Sequence, residues 1–226
     1  MIRKTFEHEL QDVKDELLIL GSMVEQAVLD AMESLKKRDI KASKKIYDQD
    51  RVINEKRFAI EKNCMILIAT QQPMARDLRL LASLLDVASE MERMGDYAKG
   101  IATISIRMGD TPLLKPLIDL PRMATIAVSM LHRALTAFME EDVKTARTIP
   151  AEDDEVDALY DQIYRELMTF VIADPKTIER ANYLLWAAHN LERLADRVTN
   201  ICERTVFVVT GEIKEIPTSS RLLDPK

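Results

Sequence analysis

The chain has 226 residues, 47% of them apolar and 31% charged, enough for a buried core and unlike a disordered tail. Only 5 glycines and 8 prolines occur and aromatics make up 5%, which excludes a sandwich or barrel of many turn-linked strands and favours helices. The formal net charge of −6 argues against a nucleic-acid binder, which needs a basic footprint.

Residues 4–38 read as one long amphipathic helix, with Leu10, Val13, Leu17, Leu20, Val24, Val28, Ala31 and Leu35 spaced by three or four. Its acidic, interrupted start does not read as a signal peptide. Arg38-Asp39 predicts a tight corner, followed by a second helix over about 41–70 that points Ile46, Ile53, Ile60, Cys64 and Leu67 inward. Pro73 ends that helix, and a third follows over about 75–108, with Leu80, Leu84, Val87, Met91, Met94, Ala98 and Ile101 on one stripe. The segment 109–121, with three prolines, reads as a linker. Beyond it the spacing predicts helices over about 119–140, 142–172 and 176–210, the last capped by Gly211. No apolar run approaches the roughly 20 residues of a membrane span, so a membrane is met only through partners. Cys64 and Cys202 lie far apart with no CxxC spacing, which suits a reducing, cytoplasmic compartment.

The third and sixth helices align at an offset of 100 residues, pairing Glu92 with Glu192, Arg93 with Arg193, Asp96 with Asp196 and several apolar identities. The second and fifth align at an offset of 103, pairing Asp50 with Asp153, Ile53 with Val156 and Asn54 with Asp157. The expected fold is therefore all-α: two tandem pseudo-symmetric three-helix bundles, 1–111 and 112–215, followed by a frayed tail, 216–226.

Around Met91, Glu92 and Asp96 fall at about 100° and 140°, on the border between core and solvent; Glu192 and Asp196 repeat this about Leu191. Asp50 and Asn54 flank Ile53, and Asp153 and Asp157 flank Val156, in the same way. If the paired helices are adjacent, three or four carboxylates meet at each half-buried seam and need a counter-charge. Arg93 and Arg193 could supply it through i, i+3 ion pairs. A hard cation such as Mg²⁺, Ca²⁺ or Mn²⁺ would serve equally, and iron is admissible. Asp77, Asn200 and Glu203 are weaker candidates for the same site. Single acidic pairs on a helix flank are ordinarily solvated; their duplication is what argues for a site. No HExxH, GxSxG, Walker A or GxGxxG pattern occurs, and none of His8, His132 and His189 follows a Glu at the di-iron spacing, so an enzyme is not expected. A carboxylate-bundle metal store or metalloenzyme is the competing reading. Lys36, Lys37, Arg38, Lys41, Lys44 and Lys45 cluster at the first corner, as a solvated tip or a surface for an acidic partner or anionic lipid.

Gln72-Pro73-Met74-Ala75-Arg76-Asp77-Leu78-Arg79 resembles the QPxAxDLR turn of the PhoU family of phosphate-transport regulators, and Glu92-Arg93-Met94-Gly95-Asp96 resembles its ERxGD motif. Glu192-Arg193-Leu194-Ala195-Asp196 with Thr199-Asn200-Ile201 looks like the second copy. The similarity spans about residues 2–215. It implies a cytoplasmic accessory protein without catalysis, a negative regulator of the phosphate-starvation response that links the phosphate ABC transporter ATPase to a sensor histidine kinase. A homodimer is compatible with it. It also implies metal-binding E/DxxxD motifs, with iron or zinc clusters among the family's ligands, at Asp50/Asn54, Glu92/Asp96, Asp153/Asp157 and Glu192/Asp196. Three departures bear on this: Asn54 replaces an acid, Arg197 follows Asp196 where many relatives have His and so would put a cation close to the second site, and Gly100 stands opposite Asn200.

Overall fold

The computed structural model of the chain describes residues 2–217, with side chains from residue 5. Six long helices appear, and no strand among the described residues. They are α1 (Ile2–Lys37), α2 (Ile40–Gln71), α3 (Arg76–Met108), α4 (Asp119–Glu140), α6 (Asp153–Ala173) and α7 (Ile178–Thr210); α5 (Val143–Ala146) is a single turn. The repeat is realised as two three-helix units: α1 and α2 pack on α3, while α4 and α6 pack on α7. The expected tail is described only as far as residue 217; residues 218–226 lie outside the described part.

Local chemistry sets the corners. Arg38 takes a left-handed conformation (φ 57°), the Asp39 amide donates back to the Ser34 carbonyl at 2.8 Å, and Asp39 Oδ1 accepts the Ala42 amide at 2.9 Å. One helix is thus closed and the next capped within two residues. Gln72 (φ 48°) closes α2, and Gly211 (φ 78°) closes α7 as expected. The predicted single helix over about 142–172 is broken. α5 gives way to a 3₁₀ turn, Ile149–Glu152, before α6 begins at Asp153. Pro150 is the cause: it has no N–H to donate, and its ring collides with the carbonyl four residues back. Apolar spacing continues through Val143, Ala146 and Ile149, so periodicity alone is blind to the break. Its consequence is positional, because Asp153 opens a helix instead of sitting in the middle of one.

The apolar stripes of all six long helices merge into one core, in which Leu17, Leu20, Ile60, Leu84, Met91, Met130, Leu191 and Ile201 are buried. Cys64 and Cys202 are buried free thiols, and burial pushes both up to about 12. At one end of the first bundle the Ser43 hydroxyl bonds to those of Ser34 (3.0 Å) and Ser105 (2.8 Å), tying α1, α2 and α3 together. The bundles join where α3 meets α7 and α1 meets α4. Two glycines permit the approach: a Cβ on Gly21 would lie 2.4 Å from Leu135 Cδ1, and one on Gly100 would lie 2.7 Å from Asn190 Oδ1. Polar pairs line the α3–α7 contact, with Arg197 Nη1 2.9 Å from Glu90 and Arg204 Nε 3.2 Å from Asp86. Among the described residues no helix is long and apolar enough to cross a membrane.

Because Gly21 faces the tip of a leucine across the α1–α4 contact, a large side chain there overpacks it. Gly21→Leu is expected to lower unfolding stability by about 1–3 kcal/mol in urea titration. Gly21→Ala, which only displaces a flexible methyl, should lose much less; equal losses would contradict this packing.

Candidate metal site

In the first bundle, α2 presents Asp50 and Asn54 towards Glu92 and Asp96 of α3. Asp50 is only 5% exposed. Gly95 allows the helices to close at this point: its missing Cβ would sit 3.1 Å from Ile53 and 3.9 Å from Asp50 Oδ1. Asp50 Oδ2 accepts from Lys99 Nζ at 2.7 Å and from Asn54 Nδ2 at 3.1 Å, while Oδ1 has no hydrogen bond. Lys99 Nζ also lies 3.9 Å from Asp96 Oδ1 and 5.2 Å from the centre of the Tyr47 ring. The hydrogen bond to Asp50 holds the Lys99 ammonium above its usual range. Glu92 is raised by burial and then by Asp96, and Asp96 by burial and then by Asp50, so these acids share one electrostatic site. Lys99 was not singled out from the sequence. Its signal was there, three residues after Asp96.

In the second bundle, α6 presents Asp153 and Asp157 towards Glu192 and Asp196 of α7. Asp153 is 1% exposed, and its Oδ1 has no hydrogen-bond partner. Burial pushes Asp153 up to about 8, helped by Asp157, Asp196 and Glu192. Glu192 rises to about 7 through burial, then Asp196 and Asp157; Asp157 rises through burial, then Asp196. The four predicted acids are therefore close enough to act on one another's charge. The expected Arg193–Asp196 ion pair is present at 3.4 Å. Arg93, by contrast, makes no such pair among the described residues, and Lys99 holds that place in the first bundle. His189 lies with Nδ1 3.2 Å from Glu192 Oε2, off the line of a hydrogen bond. Tyr160 sits close enough to Glu192 for its hydroxyl to be raised, after burial, by that charge.

Of the weaker candidates, Asp77 and Glu203 lie away from the acidic pairs. Asp77 is in the first turn of α3, about 20 Å along the helix from Glu92 at 1.5 Å per residue. Glu203 accepts the Ile216 amide at 2.9 Å and holds the segment after α7. Asn200 is half-buried one turn beyond Asp196 on α7. Arg197 does not add a cation to the second seam, because it turns to α3, where Nε bonds to the Tyr97 hydroxyl at 3.0 Å and Nη1 to Glu90. Lys36, Lys37, Arg38, Lys41, Lys44 and Lys45 are all exposed at the first corner.

Among the described residues no three His, Cys, Asp or Glu side chains stand as a ready-made metal ligand set. The donor chemistry of the second seam nevertheless fits a hard cation. An orphaned, fully buried carboxylate oxygen faces three partly exposed carboxylates whose side chains can turn towards it. Without a cation, this seam makes stability depend on pH. Folded Asp153 keeps its proton to about 8, whereas the unfolded carboxyl loses it near 3.8. Between those values the folded chain binds a proton the unfolded chain has lost, so stability falls as pH rises. Chelator-treated protein is expected to melt higher near pH 5 than near pH 8. Asp153→Asn should flatten that dependence and add on the order of 1–3 kcal/mol near pH 8, by relieving a buried unpaired group. PH-independent melting of the parent would contradict it.

The PhoU domain family model matches residues 17–105 and 120–205, on either side of the proline-rich connection. The PhoU homolog of Aquifex aeolicus, a phosphate-specific transport system accessory protein, is 35% identical over 205 residues, covering 91% of this chain and 93% of that protein. PhoU of Escherichia coli K12, named in the same way, is 33% identical over 207 residues, covering 92% and 86%. Two crystal structures superpose at 32% identity: the phosphate transport system regulatory protein PhoU of Streptococcus pneumoniae (TM-score 0.85, 92% of this chain, 99% of that one) and PhoU of Pseudomonas aeruginosa (TM-score 0.86, 92% and 100%). With two matched domains, two matching helical bundles and relatives of this identity along nearly the whole chain, the protein belongs to the PhoU family.

Proposed function

We propose that this chain regulates phosphate transport as a cytoplasmic scaffold. It restrains the phosphate-starvation response when phosphate is plentiful and moderates uptake, standing between the phosphate ABC transporter ATPase and a sensor histidine kinase. The names of its relatives, phosphate-specific transport system accessory proteins, support the first half of this reading. The observation that carries the scaffold mechanism is the pair of acid-bearing interhelical seams in two sister bundles. Such a seam suits tuning the stiffness of a docking surface, not turning over a substrate.

Asp153, Asp157, Glu192 and Asp196 are the residues that would hold a hard cation, which would supply charge neutralisation between α6 and α7. The chain's own residues do the rest. Asp153 is fixed by its burial at the start of α6, Asp157 and Asp196 approach from facing helices, and Arg193 tethers Asp196. The exposed lysines at the first corner offer a surface to an acidic partner, which makes contact with the membrane system indirect.

Deleting the gene is expected to derepress phosphate-starvation genes in phosphate-rich medium, and normal repression in the deletion strain overturns the reading. Reversing charge at the corner with Lys41→Glu and Lys44→Glu should weaken co-purification of transporter and kinase at least tenfold at physiological salt, with helical content unchanged. Undiminished recovery removes the corner from the docking surface.

A further inference from the structure

The two seams are sisters in position but not in charge. The first sets three carboxylates, Asp50, Glu92 and Asp96, against the Lys99 ammonium, with Asn54 donating to Asp50. The second sets four carboxylates together, and the residue corresponding to Lys99 is Thr199. Thr199 is buried, its hydroxyl has no hydrogen-bond partner, and it brings no charge to the acids. Asp50 keeps one oxygen without a donor, but the other carries both the ammonium and an amide; Asp153 makes none of the hydrogen bonds that Asp50 makes.

Resting on the cation-binding reading above, we propose that Lys99 is a built-in counter-ion which closes the first bundle to divalent cations, so that a divalent cation is taken up by Asp153, Asp157, Glu192 and Asp196 of the second bundle alone. Lack of access does not close the first seam. A groove of about 590 Å³ between α1 and α2 opens directly onto Asp50 and Lys99, so an ion can reach the first seam from solvent. What it meets there is a positive charge already seated. The Lys99 side chain is 31% exposed, tethered to α3 within reach of Asp50 and Asp96 and braced against the Tyr47 ring. An incoming divalent ion would have to displace it or bind beside it, and one carboxylate fewer is available because position 54 is Asn. The repulsion between the two cations acts at the short range where it is least screened. In the second seam no ammonium is seated on the buried acid: Arg193 stands 3.4 Å from the outer acid Asp196, and the His189 imidazole lies 3.2 Å from Glu192.

Titrating chelator-treated protein with Mn²⁺ by calorimetry tests this. Wild type should bind at a site weakened at least tenfold by Asp153→Asn and unaffected by Asp50→Asn. Lys99→Thr should add a second class of site, lost again when Asp50→Asn is combined with it. Thr199→Lys, the reciprocal exchange, should weaken wild-type binding at least tenfold, and it carries the test alone if Lys99→Thr does not fold as judged by circular dichroism. Unchanged stoichiometry in folded Lys99→Thr, unchanged affinity in Thr199→Lys, or wild-type binding that depends on Asp50 overturns the role of Lys99 and leaves cation binding standing. Absence of Mn²⁺ binding in every folded variant overturns both.

Discussion

A carboxylate withdrawn from water between two helices has to be neutralised by a proton, by a fixed ammonium or by a mobile cation. The chain places such a group at equivalent points of its two halves, Asp50 and Asp153, and answers the demand differently in each. At Asp50 the answer is covalently part of the protein. At Asp153 it is a proton, held to about 8, or whatever cation replaces that proton. The aliphatic neighbours Ile53 and Val156 are buried one turn on and anchor each acid's helix in the core, so the acid cannot escape by a small rotation.

The same central helices hold the molecule together. α3 carries Glu92 and Asp96 on one flank and Glu90 and Tyr97 on the flank facing α7; α7 carries Asp196 beside Arg197, which crosses to Glu90. Arg193, one turn before Arg197, pairs instead with Asp196 of its own helix at 3.4 Å. The charge state of the second seam and the junction between bundles are thus separated by a single turn of α7.

Much of this was legible in the sequence, because helical periodicity and duplication are signals that survive without three-dimensional information. The inward series on α1, α2 and α3 is buried almost residue for residue, and the offset of 100 residues that aligns Glu92 with Glu192 locates the seam positions. The break at Pro150 was missed because apolar spacing runs straight through it, although the proline itself was the warning. Arg197 was read by its neighbour in sequence, Asp196, while its length lets it cross to α3, a direction that no one-helix projection contains. Lys99 went unnoticed for the opposite reason: one lysine in an amphipathic helix is unremarkable until a facing helix supplies a buried carboxylate. Glu203 likewise takes its partner from beyond Gly211, where no periodicity operates.

The central claim is that Asp153 is a buried acid awaiting a counter-charge. Carbon-detected NMR of the side-chain carboxyl in chelator-treated protein measures this directly. The account predicts that the Asp153 carbon titrates far above the ordinary aspartate range and that a diamagnetic divalent ion such as Mg²⁺ abolishes the transition by holding the group ionised. Titration in the ordinary range both with and without the ion would contradict it.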